Sequence, residues 1–145
     1  MKDQTLFIVK PDAVSRGLTG RILARVEEEG FRLEGLRLLR LRTSEAEAFY
    51  EIHRERPFYR DLVEYMTSGP VVVAALSAEG AVSRLRHVVG ETDPARARAG
   101  SIRAEFGVDI QRNSVHASDS PENASREVDF FFGRGPAAPA SGGES

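Results

Sequence analysis

"VVVAAL", residues 71–76, is the stretch that decides the fold. Six apolar residues run without a polar break after Gly69-Pro70, which reads as a central strand covered on both faces. Upstream, "FYRDLVEYM" (58–66) reads as a helix with Phe58, Leu62 and Met66 on one side. Pro57 separates it from a helix opening at "SEAEAFYEIH", where Ser44 and Glu47 stand at capping-box spacing. "FRLEGLRLLRLR" (31–42) alternates as a strand does, but its phase slips near Gly35 and again at Leu38–Leu39. A bulge or a strong bend is expected there. Leu18, Ile22, Leu23 and Val26 recur at helical spacing before Gly30, predicting a helix over 19–29. "TLFIV" (5–9) reads as a short buried strand ended by Pro11.

Downstream of 71–76, Val82, Leu85 and Val89 predict a helix stopped at Gly90. Residues 91–112 read as a long irregular arm, followed by a short extended piece around Val115. Ser120-Pro121 is a strong helix start, with serine at the cap and proline at the first helical position. That helix is expected to run to about Val128, with "FFF" (130–132) finishing the ordered chain. Four strands interleaved with helices imply an α+β fold, a ferredoxin-like α/β sandwich. Its expected form is a four-stranded antiparallel sheet with helices packed on one face. A doubly wound parallel sheet is the competitor, and the bend at Gly35 together with the single very apolar strand favours the antiparallel sheet. The expected domain is 1–132, and the Gly/Pro/Ser-rich stretch 133–145 is predicted to be a disordered tail.

Composition narrows the function classes. At 145 residues and 41% hydrophobic, the chain can bury a core. A formal net charge of −2 offers no basic field, so neither nucleic acid nor membrane is an expected partner. The absence of cysteine excludes disulfides, thiolate metal sites and cysteine nucleophiles. Only four consecutive apolar residues occur near the N-terminus, too few for a signal peptide or a membrane span, so a cytoplasmic protein is expected. Arginine supplies all the positive charge except Lys2 and Lys10, which points to Lys10 as a compact, mobile ammonium chosen for a purpose.

Three histidines are available. His53 and His87 lie late in predicted helices, where a solvated residue or a partner of the helix dipole is the simplest reading. No two histidines have the spacing of a zinc site. His116, in "NSVHASDS" (113–120), stands between an extended residue and a helix start, where loops tend to carry sites. The arm carries Arg84, Arg86, Arg96, Arg98, Arg103 and Arg112, with Thr92 and Asn113 as neutral donors. Guanidinium forks suit phosphate oxygens, although a mixed-charge solvated loop has the same composition. Neither a P-loop nor a G-x-G-x-x-G fingerprint is present.

Taken together, "FIVKPDAV", "ERPFY", "MTSGPVVV", "RHVVGETDP", "GSIRAEFG" and "NSVHASDS" resemble nucleoside diphosphate kinases in order and spacing, over about residues 4–132. The resemblance implies transfer of a terminal phosphate between nucleotides in two half-reactions, through a phosphohistidine and with Mg²⁺ on the nucleotide phosphates rather than on protein ligands. It puts His116 at the nucleophile position and Glu127 at the carboxylate that holds the other ring nitrogen. It places Lys10, Tyr50, Arg86, Thr92, Arg103 and Asn113 on phosphates or sugar, Phe58 and Ile110 around the base, and Ser118 beside the histidine. ATP and other nucleoside tri- and diphosphates are the implied partners. A homotetramer is the implied assembly, with a homohexamer as alternative. Two positions depart from the family pattern: Ala117 where glycine is common, and Ala99 where many members carry proline. Ordinary backbone geometry is expected at Ala117. The rival reading is a non-catalytic ferredoxin-like nucleotide-binding regulatory module, which would not need both His116 and Glu127.

Overall fold

The structure, a computed structural model, describes residues 3–108 and 112–133. Four strands form one antiparallel sheet: β1 (Asp3–Val9), β2 (Arg32–Leu39), β3 (Val71–Ala78) and β4 (Val115–Ala117), in the order β2-β3-β1-β4. The expected ferredoxin-like sandwich is present. All eight residues of β3 are buried, as the apolar run demands, because β3 lies between two strands and under helices on both faces.

The helices are α1 (Pro11–Ser15), α2 (Thr19–Glu28), α3 (Thr43–Phe49), α4 (Tyr59–Met66), α5 (Ala81–Val89), α6 (Ile102–Phe106) and α7 (Pro121–Phe132). They do not keep to one face. Alternation along β1 sends Phe7 and Val9 to a core shared with Ile22 and Val26 of α2, Leu85 of α5 and Ile102 of α6. It sends Leu6 and Ile8 to a second core with Ala46 and Phe49 of α3, Val63 and Met66 of α4, and Val128 and Phe131 of α7. The helical pair between β2 and β3, together with α7, therefore covers the face expected to be bare.

Several local expectations are corrected. The first phase slip is real: the register of β2 jumps between Leu33 and Gly35, so Leu33 and Leu36 share a face although three residues apart. Gly35 is needed there, since a Cβ would sit 2.8 Å from the ring of Phe132. The second slip is absent, for pairing runs unbroken from Gly35 to Leu39. α3 begins at Thr43, and the Glu45 carboxylate accepts the backbone N–H of Arg42 at 2.8 Å, so the box lies two residues earlier than Ser44/Glu47 implied. The FFF stretch is the last turn of α7. The arm contains α6 and a short 3-10 turn, Pro94–Arg96. His116 is a strand residue, paired with Ile8 across β1 and β4, and not a loop residue after the strand. Of the expected tail, only Gly133 lies within the described residues.

Candidate active site

The sheet builds this site at its β4 edge. In β4 the side chains of Val115 and Ala117 enter the core under α2 and α5, so alternation turns His116 to the opposite face. There it meets the edge of the Phe49 ring at 5.5 Å and that of Tyr50 at 6.3 Å. α7 then returns Glu127 against it. His116 Nε2 lies 2.9 Å from Glu127 Oε1, and the Ser118 hydroxyl donates to the same oxygen at 2.7 Å. The Leu6 backbone N–H donates to Ser118 in turn, at 3.2 Å. A carboxylate on Nε2 selects the Nε2–H tautomer and leaves the lone pair on Nδ1.

Burial pushes the Glu127 carboxyl up, but the hydrogen bond and charge of His116, the Ser118 hydroxyl and the nearby Arg126 outweigh it. The result lies below the ordinary carboxylate range, so Glu127 is ionised at neutral pH. Tyr50 is buried, and burial together with the charge of Glu127 pushes its phenol up; among the described residues its hydroxyl has no hydrogen-bond partner.

A cleft of about 380 Å³ opens beside His116, a size that suits a small-molecule ligand. Lys10, Arg86 and Arg103 bring positive charge to it. Lys10 caps β1, its backbone N–H bonded to the Ser114 carbonyl at 2.8 Å and its ammonium to Asn113 Oδ1 at 2.8 Å. Burial, with Arg103 nearby, lowers its pKa from 10.5 to about 7 although Asp12 opposes the shift. Arg103 is fixed by two carbonyls, Gly90 at 3.1 Å and Val115 at 2.9 Å. Burial and the neighbouring Arg86 lower its pKa to about 10, which leaves it charged at neutral pH. Arg86 bonds the Ala117 carbonyl at 3.2 Å, and Asn113 Nδ2 donates to the Thr92 carbonyl at 2.9 Å. Backbone strain accompanies these contacts: Ser114, two residues before His116, has φ 78°. Ala117 has no such conformation; it lies in β4 on extended backbone.

Phe58 stands at the mouth of the cleft and is 47% exposed, so it is no core residue. His116, Glu127, Lys10, Tyr50, Phe58, Arg86, Thr92, Arg103 and Asn113 thus all line one cleft, and Ser118 stands behind it. Ile110 lies outside the described residues. The other arm arginines do not line the cleft: Arg84 lies over the Phe31 ring at 5.0 Å, Arg96 lies 3.9 Å from Asp93, and Arg98 donates to the His87 carbonyl.

His53, read as a helix-end residue, lines the cleft in the 3-10 turn Glu51–His53, with its ring 5.5 Å from that of Phe58. Burial and Arg56 lower its pKa. Phe49 and Arg126 also line the cleft and were not singled out by sequence reasoning. A larger hollow of about 650 Å³, bordered by Asp3, Ser83, Ser125 and Asp129, shares only Arg86 and Asp119 with the cleft. It has neither a lysine nor a histidine, so its size does not make it the reactive site.

An imidazole held by a carboxylate beside a cationic cleft defines a phosphotransfer type of site. The family model described as nucleoside diphosphate kinase matches residues 3–136, and the chain belongs to that family. The Acidiphilium cryptum (strain JF-5) nucleoside diphosphate kinase is 54% identical over 130 residues, 90% of this chain and 93% of that protein. The Anaeromyxobacter sp. (strain K) enzyme of the same name is 52% identical, over 90% of this chain and 88% of that one. The Aquifex aeolicus nucleoside diphosphate kinase crystal structure superposes with a TM-score of 0.89 at 49% identity, covering 91% of this chain and 96% of that one. The apo Encephalitozoon cuniculi enzyme gives 0.88 at 35% identity, over 94% of both chains.

Proposed function

We propose that this chain transfers the terminal phosphoryl group of a nucleoside triphosphate to a nucleoside diphosphate through a phosphohistidine at His116. Membership of the family supports the phosphotransfer, and one observation carries the assignment of the carrier: Glu127 holds Nε2 at 2.9 Å and leaves Nδ1 for the cleft. In the first half-reaction the Nδ1 lone pair attacks the terminal phosphorus. The bond to the bridging oxygen breaks, and the nucleoside diphosphate leaves with that electron pair. The ring becomes cationic, which the ionised Glu127 stabilises without moving a proton. In the second half-reaction a terminal oxygen of another nucleoside diphosphate attacks the phosphorus, and the N–P bond electrons return to Nδ1. Lys10, Arg86 and Arg103 balance charge on the transferring group and on the phosphates behind it.

Among the described residues no three His, Asp or Glu side chains stand together as a metal site. Glu127 is also already engaged by His116 and Ser118. In this reading the divalent cation is Mg²⁺, and it enters with the nucleotide as part of the substrate. Phe58 offers a face for stacking, and stacking without edge hydrogen bonds accepts every base. Incubation with γ-labelled ATP tests the reading. The expected product is one acid-labile, alkali-stable phosphate per chain on His116; label on a serine, or none, contradicts it.

The assembly in this reading is a symmetric tetramer, with a hexamer as alternative. β2 supports self-association: it is an edge strand of eight residues, with Leu36 at 50% and Leu38 at 71% exposure on its surface. Light scattering at the monomer mass contradicts both assemblies. The compartment proposed is the cytoplasm; no helix among the described residues is long and apolar enough to cross a membrane.

A further inference from the structure

Among the described residues, Arg126 is the one arginine or lysine of the cleft that neither the motifs nor the phosphate reading uses. Its guanidinium lies over the Phe49 ring at 5.9 Å, and Phe49 in turn packs its edge against His116. Nη2 lies 3.6 Å from Glu127 Oε2, too far for a hydrogen bond but close enough for charge attraction. Nε and Nη2 are buried and have no hydrogen-bond partner among the described residues, and their burial keeps them from a ligand. The two oxygens of Glu127 are therefore divided: Oε1 serves His116 and Ser118, and Oε2 faces Arg126.

We infer that Arg126 is a positioning residue that acts through Glu127, attracting Oε2 so that Oε1 stays on His116. The inference rests on the phosphohistidine reading above. Rotation of the carboxylate plane that takes an oxygen off His116 would loosen the imidazole, and attraction of the other oxygen to Arg126 opposes that rotation. The cation also adds, behind the hydrogen bond and charge of His116 and the Ser118 hydroxyl, to what holds Glu127 below the ordinary carboxylate range. Glu127 is faced by His116 and Ser118 from β4 and the turn after it, by Tyr50 at the end of α3, by His53 from the 3-10 turn and by Arg126 on its own helix. Of these, Arg126 alone is a permanent cation. With 38% of its side chain exposed, its effect is screened and modest.

The test compares Arg126→Met and Arg126→Lys with the unaltered protein in single-turnover phosphorylation by MgATP, from about pH 3.5 to 9, a window that takes in the carboxylate range. Methionine keeps an apolar stem over Phe49 and removes the charge; lysine keeps the charge. Arg126→Met is expected to slow phosphorylation about three- to fivefold near neutrality, with the melting temperature unchanged. Its acid limb moves to higher pH, because a carboxyl that loses a cation is protonated at higher pH. Arg126→Lys restores both to within about twofold. An Arg126→Met profile superimposed on that of the unaltered protein overturns the inference. So does a uniform loss at every pH with a lowered melting temperature and no rescue by lysine, which makes Arg126 a packing residue. If the unaltered protein takes no label on His116, the phosphohistidine reading falls and the inference with it; normal labelling with an unmoved Arg126→Met profile defeats the inference alone.

Discussion

The two edges of the sheet carry different things. At one edge β4 is three residues long, flanked by α5 and α7, and offers one polar side chain, His116, to a cleft. At the other edge β2 is eight residues long, carries a bulge at Glu34 and leaves Leu36 and Leu38 in solvent. A short, covered strand cannot recruit another chain, whereas a long strand with exposed leucines can. In the reading proposed here, the chemistry and the assembly fall at opposite edges of one sheet. Changes at one edge should leave the other's property intact.

The largest expected effect is at the β4 edge. His116→Ala removes the phosphoryl carrier, so phosphoenzyme formation disappears and turnover falls at least about a thousandfold. Nucleotide binding persists, because Lys10, Arg86, Arg103 and Phe58 remain. Glu127→Gln keeps a hydrogen bond to the ring and loses the charge. Partners that orient a reacting or ligating imidazole typically contribute about 10- to 100-fold, and single-turnover rates should fall by that factor without vanishing. Phe58→Ala should weaken purine and pyrimidine nucleotides alike by about 1–3 kcal/mol in titration calorimetry, with little change in melting temperature. A loss confined to purines would mean that edge contacts read the base.

At the β2 edge, Leu38→Glu should split the assembly in light scattering, since the charge would have to be buried between copies. Phosphoenzyme formed per chain should stay within about twofold, as β2 contributes no side chain to the cleft. A large loss of labelling in this variant would show that the two edges are coupled.

The smallest effect is a pH dependence at Lys10. Its pKa in the folded chain is about 7, against 10.5 as the ordinary value. Between those limits the unfolded chain binds the extra proton, so this group's contribution makes stability rise with pH across that window. The unfavourable burial of its ammonium is fully present below about pH 7. A phosphate beside Lys10 favours the ammonium again. Nucleotide binding at about pH 8.5 should therefore take up close to one proton, seen in calorimetry with two buffers of different ionisation enthalpy. Affinity should decline as pH rises from 7.

What could be read from the sequence follows the strength of each local signal. The β3 run was legible because nothing interrupts it, and the Gly35 bulge because a slipped alternation has few other causes. The second slip at Leu38–Leu39 is absent: Leu39 packs against the core while Leu38 is left in solvent, so adjacent leucines need no slip. α1 and α6, five residues each, are too short for helical periodicity to show. The placement of helices on both faces is a tertiary choice that α3, α4 and α7 make only by packing on the sheet. The motif residues were legible because the family pattern carries them. His53 and Phe49 were not, since they approach His116 through the sharp turn after α3 and not through spacing. Arg126 belongs to none of the quoted motifs. Its signal was adjacency to Glu127, which gains meaning only when Glu127 is seen to hold His116.

The central claim, a covalent phosphoryl carrier at His116, is tested most directly by isolating the phosphorylated protein free of nucleotide and adding GDP alone. The account predicts a burst of GTP equal to the phosphate on His116, with the label leaving the protein as it appears in the nucleotide. GTP formed only when ATP is present as well, with the phosphoprotein unchanged, would contradict it.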